Sequence, residues 1–337
     1  MSIQLIDCTL RDGGNLNQWQ FSDMSIRQII EGLDRARTDY IELGYLGGSG
    51  SNPSKQAGKT FDCTPEFLDE LPQTSHAKKA IMVVPSVCSL EQLLKLNPNT
   101  VSLVRVASYP QDIAYAMPYI EALKKRGFQA AMNLMAASYT EPVQAAQIAV
   151  EAARHGADVF YIADSFGSMT PGSVREYISV LKQSTDCDVG FHGHNNLGLA
   201  FANALEAVRA GAVFVDTSLC GMARGAGNLP TEQWISAMTH WGEFSTDFDV
   251  LSIIETAEYV LHNVLEKPMR IAAPEMICGL HNIHYYYYDK IMDSRSEMQL
   301  KSAWKIAQSL GKMRPPKVDA AYLNKAMELT GGMNNES

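Results

Sequence analysis

The sequence predicts an α/β protein: a closed (β/α)₈ TIM barrel followed by a smaller all-helical C-terminal region. Short apolar segments alternate with amphipathic helical patterns, which is typical of parallel strands joined by crossover helices. The strand candidates are apolar on both faces, as expected for strands covered on both sides. Eight such units in about 240 residues match the size of this barrel. An open doubly wound sheet is the main alternative, but no early G-x-G-x-x-G supports it.

The individual elements follow in order along the chain. The eight strand candidates are residues 3–9, 40–46, 80–85, 101–107, 130–135, 159–163, 188–194 and 213–219. Helical patterns between them cover residues 22–37, 112–126, 142–155, 171–183 and 197–210, and helices alone follow at 251–265, 274–291, 302–310 and 320–329. We therefore predict a barrel domain over residues 1–244, a helical region over 245–332 and a frayed tail over 333–337.

Composition excludes several classes of protein. The 337 residues are 46% hydrophobic and 19% charged, which permits a sizeable core. A net charge of −9 argues against nucleic acid or an anionic membrane as a partner. We find no secretory signal pattern and no apolar run near the roughly 18 residues of a spanning helix. Six scattered cysteines without C-x-x-C spacing are typical of reduced thiols, so we expect a cytoplasmic protein.

Polar residues collect where the predicted strands end, which is where barrel enzymes carry their chemistry. The first strand runs into Arg11, Asp12 and Asn15, and the later strands and loops contribute Glu42, Tyr45, Arg105, Asn133, Asp164, Ser165, His192, His194 and Asn228. A polar cluster at one end of an apolar barrel costs stability unless it binds something. The sequence therefore predicts a binding or catalytic site at this rim.

Four of these residues form a candidate metal site. His192 and His194 are two apart, so on a strand both point to the same side, and Gly193 removes bulk on the other. Asp12 adds a carboxylate oxygen and Asn228 an amide oxygen. Such a mixed set suits Mn²⁺, Mg²⁺ or Zn²⁺, and we expect Mn²⁺. An isolated H-x-H is a weak motif, and the Arg11–Asp12 pair alone could be a surface ion pair.

A divalent ion at this site suggests chemistry on a 2-oxo acid. The ion would polarise the keto group, and the guanidinium of Arg11 would stabilise the enolate that forms when the adjacent C–C bond breaks. We expect Arg11, Arg105, Asn133 and Ser165 to bind the substrate. Asp164 could also orient the substrate carboxylate or hydroxyl, and hydrogen bonding in the barrel interior is an equally good role for it.

Three motifs resemble those of one family. Residues 7–13 read D-C-T-L-R-D-G, residues 190–200 read G-F-H-G-H-N-N-L-G-L-A, and D-T-S-L at 216–219 precedes G-M-A-R-G-A-G-N at 221–228. Their order resembles the DRE-TIM metallolyases, which are similar to HMG-CoA lyase, and within them the 4-hydroxy-2-oxovalerate aldolases. The resemblance implies Asp12, His192 and His194 as metal ligands, with Asn228 as a further one. It also implies that Arg11 stabilises the enolate and that Glu42 orders the site.

One position departs from the family pattern. The aldolases carry a catalytic histidine three residues after the motif aspartate, where this chain has Asn15, whose amide does not titrate usefully. We keep Asn15 as a candidate catalytic position. His281 in the tail, Tyr45 or a metal-bound water are the candidates for handling the proton.

The resemblance also implies partners. We expect a homodimer and an acylating aldehyde dehydrogenase that docks on the C-terminal helical region. The four tyrosines at 285–288 are a candidate docking surface, and a helix packed on the barrel mouth is the alternative.

Two catalytic functions compete. The first is a metal-dependent aldolase that makes or breaks a C–C bond through a 2-oxo acid enolate, with a substrate such as a 4-hydroxy-2-oxo acid that yields pyruvate. The alternative is a Claisen-type synthase that condenses an acyl-CoA with a 2-oxo acid, as citramalate and isopropylmalate synthases do. A third function, a non-catalytic barrel that docks a partner, stays open at this point.

Overall fold

The computed structural model describes residues 3–49, 57–244, 247–293, 300–315 and 319–331. Eight parallel strands pair in sequence order, and the eighth pairs with the first, so the barrel is closed. The strands are β1 (Gln4–Asp7), β2 (Tyr40–Leu46), β3 (Lys78–Val83), β4 (Leu103–Ser108), β5 (Gln129–Leu134), β6 (Val159–Asp164), β7 (Asp188–Gly193) and β8 (Phe214–Thr217). The predicted (β/α)₈ fold is confirmed.

Helices connect the strands and continue beyond them. They are α1 (Gly14–Asn17), α2 (Asp23–Arg35), α3 (Pro65–Glu70), α4 (Leu90–Leu93), α5 (Ile113–Lys125), α6 (Pro142–Arg154), α7 (Pro171–Ser184), α8 (Ala200–Arg209), α9 (Thr231–Trp241), α10 (Val250–Asn263), α11 (Ala273–His281), α12 (Tyr285–Asp293), α13 (Leu300–Met313) and α14 (Ala320–Gly331). No described helix is long and apolar enough to cross a membrane.

Helix α2 illustrates how the sequence builds the outer ring. The side chain of Ser22 accepts a hydrogen bond from the backbone N–H of Ser25 at 3.0 Å and caps the first turn. Asp23 lies in that turn and Arg35 in the last one, which suits the helix dipole. Ile26, Ile29, Ile30 and Leu33 of this helix are buried against the barrel, as their spacing predicts.

A separate apolar layer fills the inside of the barrel. It contains Ile6, Cys8, Tyr40, Ala80, Leu103, Ala131, Val159, Tyr161 and Phe214. The predicted polar residues cluster around and beyond this layer. The barrel interior is therefore closed by packing, and the site opens only at the carboxyl ends of the strands.

The C-terminal region has its own core, but α10 does not belong to it. Buried residues of α10, such as Ile253 and Val260, join the barrel cluster, whereas the second cluster begins at Ile277 and contains residues of α11 to α14. Packing against the barrel therefore continues through α10, beyond residue 244. The domain boundary at residue 244 stays a prediction. Residues 245–246 and 333–337 lie outside the described part of the chain.

The single helix predicted over residues 274–291 is wrong. The structure has two helices there, because Asn282 adopts a left-handed conformation with φ 55° and ends α11. Tyr287 and Tyr288 in the following helix are buried in the second cluster. Tyr285 and Tyr286 are half-buried and lie beside the barrel mouth, near Gly225 and Asn15. Two of the four rings are therefore not available as a docking surface, and docking of a partner on the tail stays a prediction.

Candidate metal centre and active site

The turn after β1 holds the first group of site residues. The backbone N–H groups of Arg11 and Asp12 donate to the carbonyl of Cys8 at 3.1 and 2.8 Å, which folds the chain tightly. The indole of Trp19 donates to the Arg11 carbonyl at 2.7 Å. A Cβ at Gly14 would lie 2.0 Å from that indole, so glycine is required for Trp19 to approach. The turn thus places Arg11 and Asp12 at the barrel mouth.

Strands β7 and β8 position the other groups. Residues 192 and 194 alternate with Gly193, whose missing Cβ leaves room for the ring of Phe191 only 2.7 Å away. His194 pairs with Asn228 in an isolated antiparallel bridge, so the loop after β8 returns to the end of β7. His192 is held from below because its Nδ1 lies 2.9 Å from Oδ2 of Asp216 on β8.

Asp12, His192 and His194 converge as the sequence predicted. Oδ2 of Asp12 lies 3.6 Å from Nε2 of His192 and 3.8 Å from Nε2 of His194. The amide of Asn228 donates to the same Oδ2 at 2.8 Å, while its own Oδ1 is buried without a hydrogen-bond partner. A carboxylate, two imidazoles and an orphaned amide oxygen fit the donor set of a divalent cation.

Electrostatics keeps these ligands in the forms that bind a cation. Burial alone would raise the pKa of Asp12, but Arg11, His194 and Arg224 hold it well below its usual range. Burial lowers the pKa of His194, and the charge of Arg224 lowers it further. An ionised carboxylate and a neutral imidazole are the states that can donate lone pairs to a metal ion.

A buried chain of alternating charges lies beneath this cluster. Glu42 Oε2 accepts from Arg11 Nε at 2.7 Å and lies 3.1 Å from the Arg105 guanidinium. The other end of Arg105 lies 2.5 Å from Asp216 Oδ2, which holds His192. Glu42 therefore holds the Arg11 guanidinium in place, and the ordering role that the resemblance implies for it stays a prediction.

Arg105 does not take the substrate-binding position predicted for it. Its guanidinium is fully buried, contacts Glu42 and Asp216, and stacks on the ring of Tyr161 at 4.2 Å. Both terminal nitrogens are thus committed to carboxylates, because each carboxylate would otherwise be a buried, uncompensated charge. Arg105 is a positioning residue that links Arg11 to His192.

Two other predicted residues, Ser165 and Asn133, lie around the mouth. The hydroxyl of Ser165 accepts from the backbone N–H of Ala136 at 2.9 Å, and the Ser165 carbonyl accepts from Arg224 at 3.3 Å. Asn133 keeps a buried Oδ1 without a partner, so this acceptor is free for a ligand.

Asp164 has a structural environment. Its carboxylate accepts backbone N–H groups of Ser168 and Met169, both at 3.0 Å. Burial raises its pKa to about 6 despite these bonds. Of the two roles that the sequence left open for Asp164, hydrogen bonding within the barrel is the one that these contacts support.

Asn15 and His281 do not behave as expected. The Asn15 amide donates to Asp12, at 2.9 Å to the carbonyl and 3.2 Å to Oδ1, and its own oxygen accepts from Tyr286 at 3.1 Å. Asn15 is therefore a link between Asp12 and the tail. The ring of His281 packs edge-on against Trp304 with centroids 4.6 Å apart, so the structure does not bring it to the metal ligands.

Tyr45 lies beside Arg11 but is unsuited to accept a proton. Burial raises its pKa to about 12, so its hydroxyl stays protonated near neutral pH. The guanidinium carbon of Arg11 lies 5.9 Å from the ring centroid. Tyr45 therefore offers packing and a hydroxyl to the site.

Sequence reasoning missed Arg224, His284 and Tyr286. Arg224 lies in a quoted motif, and its NH1 is 3.8 Å from Asp12 Oδ1, so its position in a glycine-rich loop after β8 was a usable signal. His284 and Tyr286 are stacked at 4.9 Å on the tail, and Tyr286 reaches Asn15. The sequence marked Tyr286 only as part of the tyrosine run at 285–288, and no local pattern marks His284, because the position of both residues depends on how the tail docks.

Comparison with known proteins places the chain. Residues 98–260 match the family model HMGL-like. The chain is 31% identical over 284 residues to a 4-hydroxy-2-oxovalerate aldolase of Geobacillus genomosp. 3, covering 84% of each chain. It is 32% identical to 4-hydroxy-2-oxovalerate aldolase 2 of Rhodococcus opacus (strain B4), covering 85% of this chain and 82% of that one.

One crystal structure is similar to this chain in both fold and sequence. The N-terminal domain of a proposed aldolase from Bacteroides vulgatus superposes with a TM-score of 0.77 at 29% identity, covering 88% of this chain and 97% of that one. The aldolase names of these relatives do not favour the condensing synthase. The chain therefore belongs to the HMGL-like family of metal-dependent carbon–carbon lyases, as the resemblance of its motifs predicted.

Proposed function

We propose that this protein cleaves a 4-hydroxy-2-oxo acid to pyruvate or another 2-oxo acid and an aldehyde, or runs the reverse addition, with Mn²⁺ as the expected ion. The observation that most supports this proposal is the position of Arg11. Its buried guanidinium lies 3.0 Å from Asp12 and therefore beside the place where Asp12, His192 and His194 converge. A 2-oxo acid bound there would place its C2 oxygen between a cation and a guanidinium.

The local charge supports a dianionic transition state. The contacting groups comprise three cations and three anions, so their charges cancel: Arg11, Arg105, Arg224, Asp12, Glu42 and Asp216. With a divalent ion bound, the six groups and the ion together would carry a net charge of about +2. The enolate of a 2-oxo acid carries one charge on its carboxylate and one on its C2 oxygen, so the two charges match.

Each residue then has a defined task. Asp12, His192, His194 and Asn228 would hold the ion, which when bound supplies Lewis-acid polarisation of the C2 carbonyl. Arg11 stabilises the negative charge on C2 oxygen, and Glu42 keeps its Nε aligned at 2.7 Å. Asn133 offers its free Oδ1 and Ser165 lines the mouth, so both remain candidates for contact with the substrate.

The expected partners are also proposals. Met276, Leu280 and Trp304 expose apolar surface on α11 and α13, which supports a contact through the C-terminal region. This contact would serve a homodimer or an aldehyde dehydrogenase. Six free cysteines, five of them buried, support a cytoplasmic location.

The deciding experiment measures retro-aldol cleavage of 4-hydroxy-2-oxo acids of several lengths with Mn²⁺ added and then removed by a chelator. Activity should depend on the ion, and Mg²⁺ and Zn²⁺ are compared in parallel. Arg11→Lys should keep bound Mn²⁺ but lose about 10²-fold in kcat, since one ammonium does not replace the guanidinium fork. Thiol release from acetyl-CoA with 2-oxo acids, without any cleavage, would favour the condensing synthase instead.

A further inference from the structure

The segment between α11 and α12 is fastened to the barrel mouth on both sides of His284. On one side, the Asn282 side chain accepts from the hydroxyls of Ser138 at 2.8 Å and Ser168 at 2.6 Å. On the other side, Tyr286 donates to Asn15 at 3.1 Å. His284 lies between these two attachments, so the backbone that carries it is held at the barrel mouth.

Local contacts also fix which ring nitrogen of His284 is free. Its Nδ1 accepts the backbone N–H of Tyr286 at 3.3 Å, and its ring stacks on the Tyr286 ring with centroids 4.9 Å apart. A neutral imidazole that accepts at Nδ1 carries its proton on Nε2. Nε2–H therefore points away from α12 as a hydrogen-bond donor.

The surroundings keep this imidazole neutral. Burial lowers the pKa of His284 well below its usual range, the charge of Arg224 lowers it further, and the charge of Asp12 opposes the shift. The geometry places His284 at the same rim, because Tyr286, two residues further on, donates to Asn15, which itself donates to Asp12. A neutral donor of this kind can bind an oxygen without being repelled by the nearby cations.

The β1 turn offers no competing donor at this place. Both hydrogen-bonding groups of the Asn15 amide are already used, by Asp12 and by Tyr286. The carboxylate and C2 oxygen of a bound 2-oxo acid would lie at Arg11 and the metal ligands, inside the barrel mouth. The remainder of the substrate then extends towards the tail, where His284 lies.

We propose that Nε2–H of His284 donates a hydrogen bond to the oxygen on C4 of the substrate. His284 thereby selects 4-hydroxy-2-oxo acids, and in the reverse direction it orients the carbonyl oxygen of the aldehyde. This inference rests on the proposed function, and it assigns recognition of the aldehyde half to the C-terminal region. Enolate formation from the 2-oxo acid half is left to the barrel.

The test separates the two halves of the reaction. His284→Phe keeps a ring on Tyr286 but has no N–H, and His284→Gln keeps a donor near the position of Nε2. Three quantities are measured with Mn²⁺: kcat/KM for aldol cleavage, deuterium exchange into the methyl group of pyruvate, and the Kd for Mn²⁺. His284→Phe should lose about 10²-fold in cleavage, with exchange and Kd within about twofold of the wild type. His284→Gln should recover most of the loss.

Controls make every outcome informative. His262→Phe changes an exposed histidine on α10 and should behave as the wild type. If His284→Phe does not fold, His284→Met replaces it, because Met matches Gln in size but donates nothing. Full cleavage in the donor-free variant, an equal loss of exchange, or a loss in His281→Phe instead would overturn the inference. A wild type without exchange or cleavage would overturn the proposed function, and the inference with it.

Discussion

The metal-site rim and the docked tail contribute to one site by different physical means. The rim residues follow from strand pairing, because β1, β7 and β8 are neighbours and their ends meet. Their side chains are almost fully buried, and ion pairs of 2.5 and 3.1 Å made by Arg105 support them from below. The tail reaches the same place through hydrogen bonds around a helix break at Asn282. The rim is therefore the rigid half of the site, and the tail is the half that can change without loss of the metal centre.

The largest expected effect is at the rim. His192→Ala removes one imidazole of the predicted metal site and leaves Asp216 paired only with Arg105, so bound metal and cleavage should be lost together. We expect a loss of about 10³-fold or more in kcat, since Lewis-acid stabilisation supplies several kcal/mol. Metal content by elemental analysis and cleavage rate are measured on the same sample. A variant that keeps full activity after chelation would contradict the assignment.

The next effect tests the buried charges below the rim. Arg105→Met should weaken Mn²⁺ binding about 10- to 100-fold, because Asp216 then no longer holds His192 in place. Arg105→Lys should fall between the wild type and Met, since one ammonium cannot contact both carboxylates well. The Kd comes from titration followed by electron paramagnetic resonance of free Mn²⁺.

Arg126→Met is the matched control for Arg105. This arginine donates to the carbonyl of Leu96 at 2.8 Å, away from the site residues, so its replacement should leave the Kd unchanged. Equal weakening in both variants would mean that Arg105 acts only through general stability.

The same contrast explains what the sequence could predict. Strand periodicity places His192 and His194 on one side, and barrel topology brings them to Asp12, so this part of the site needs no knowledge of loop structure. The structure does not place Arg105 and His281 where their predicted roles require, and the reasons differ. Arg105 lies on a strand, but nothing in the sequence shows how deep in the barrel its head group stops. His281 and His284 are three residues apart, and the left-handed Asn282 between them decides which one faces the rim.

Asp7 is a buried carboxylate of β1 outside the metal cluster, and its effect on stability gives a separate test of the barrel. Burial raises the pKa of Asp7 to about 6, from 3.8, although Thr9 and Thr231 donate to it. A folded-state pKa above the unfolded value means that the folded protein binds more protons between these values. The contribution of Asp7 to stability is therefore present at low pH and is lost as the pH rises through about 6.

Asp7→Asn removes this pH dependence. The asparagine oxygen can accept from Thr9, and its NH₂ can donate to the hydroxyl of Thr231, so the fold is kept. Relative to the wild type, the variant should gain about 2 kcal/mol in the free energy of unfolding between pH 4.5 and pH 7.5. Urea denaturation at the two pH values measures it. An unchanged difference would show that Asp7 titrates normally.

The smallest effect belongs to the tail. Asn282→Ala loses the acceptor for Ser138 and Ser168 and also places a non-glycine, non-asparagine residue at φ 55°, whereas Asn282→Gly loses only the acceptor. The alanine variant should therefore be less stable than the glycine variant by about 1 kcal/mol. In both variants Mn²⁺ affinity should stay at the wild-type value while cleavage falls, since only the attachment that positions His284 is weakened. If Mn²⁺ affinity falls as well, the tail supports the rim directly and the two halves of the site are not separable.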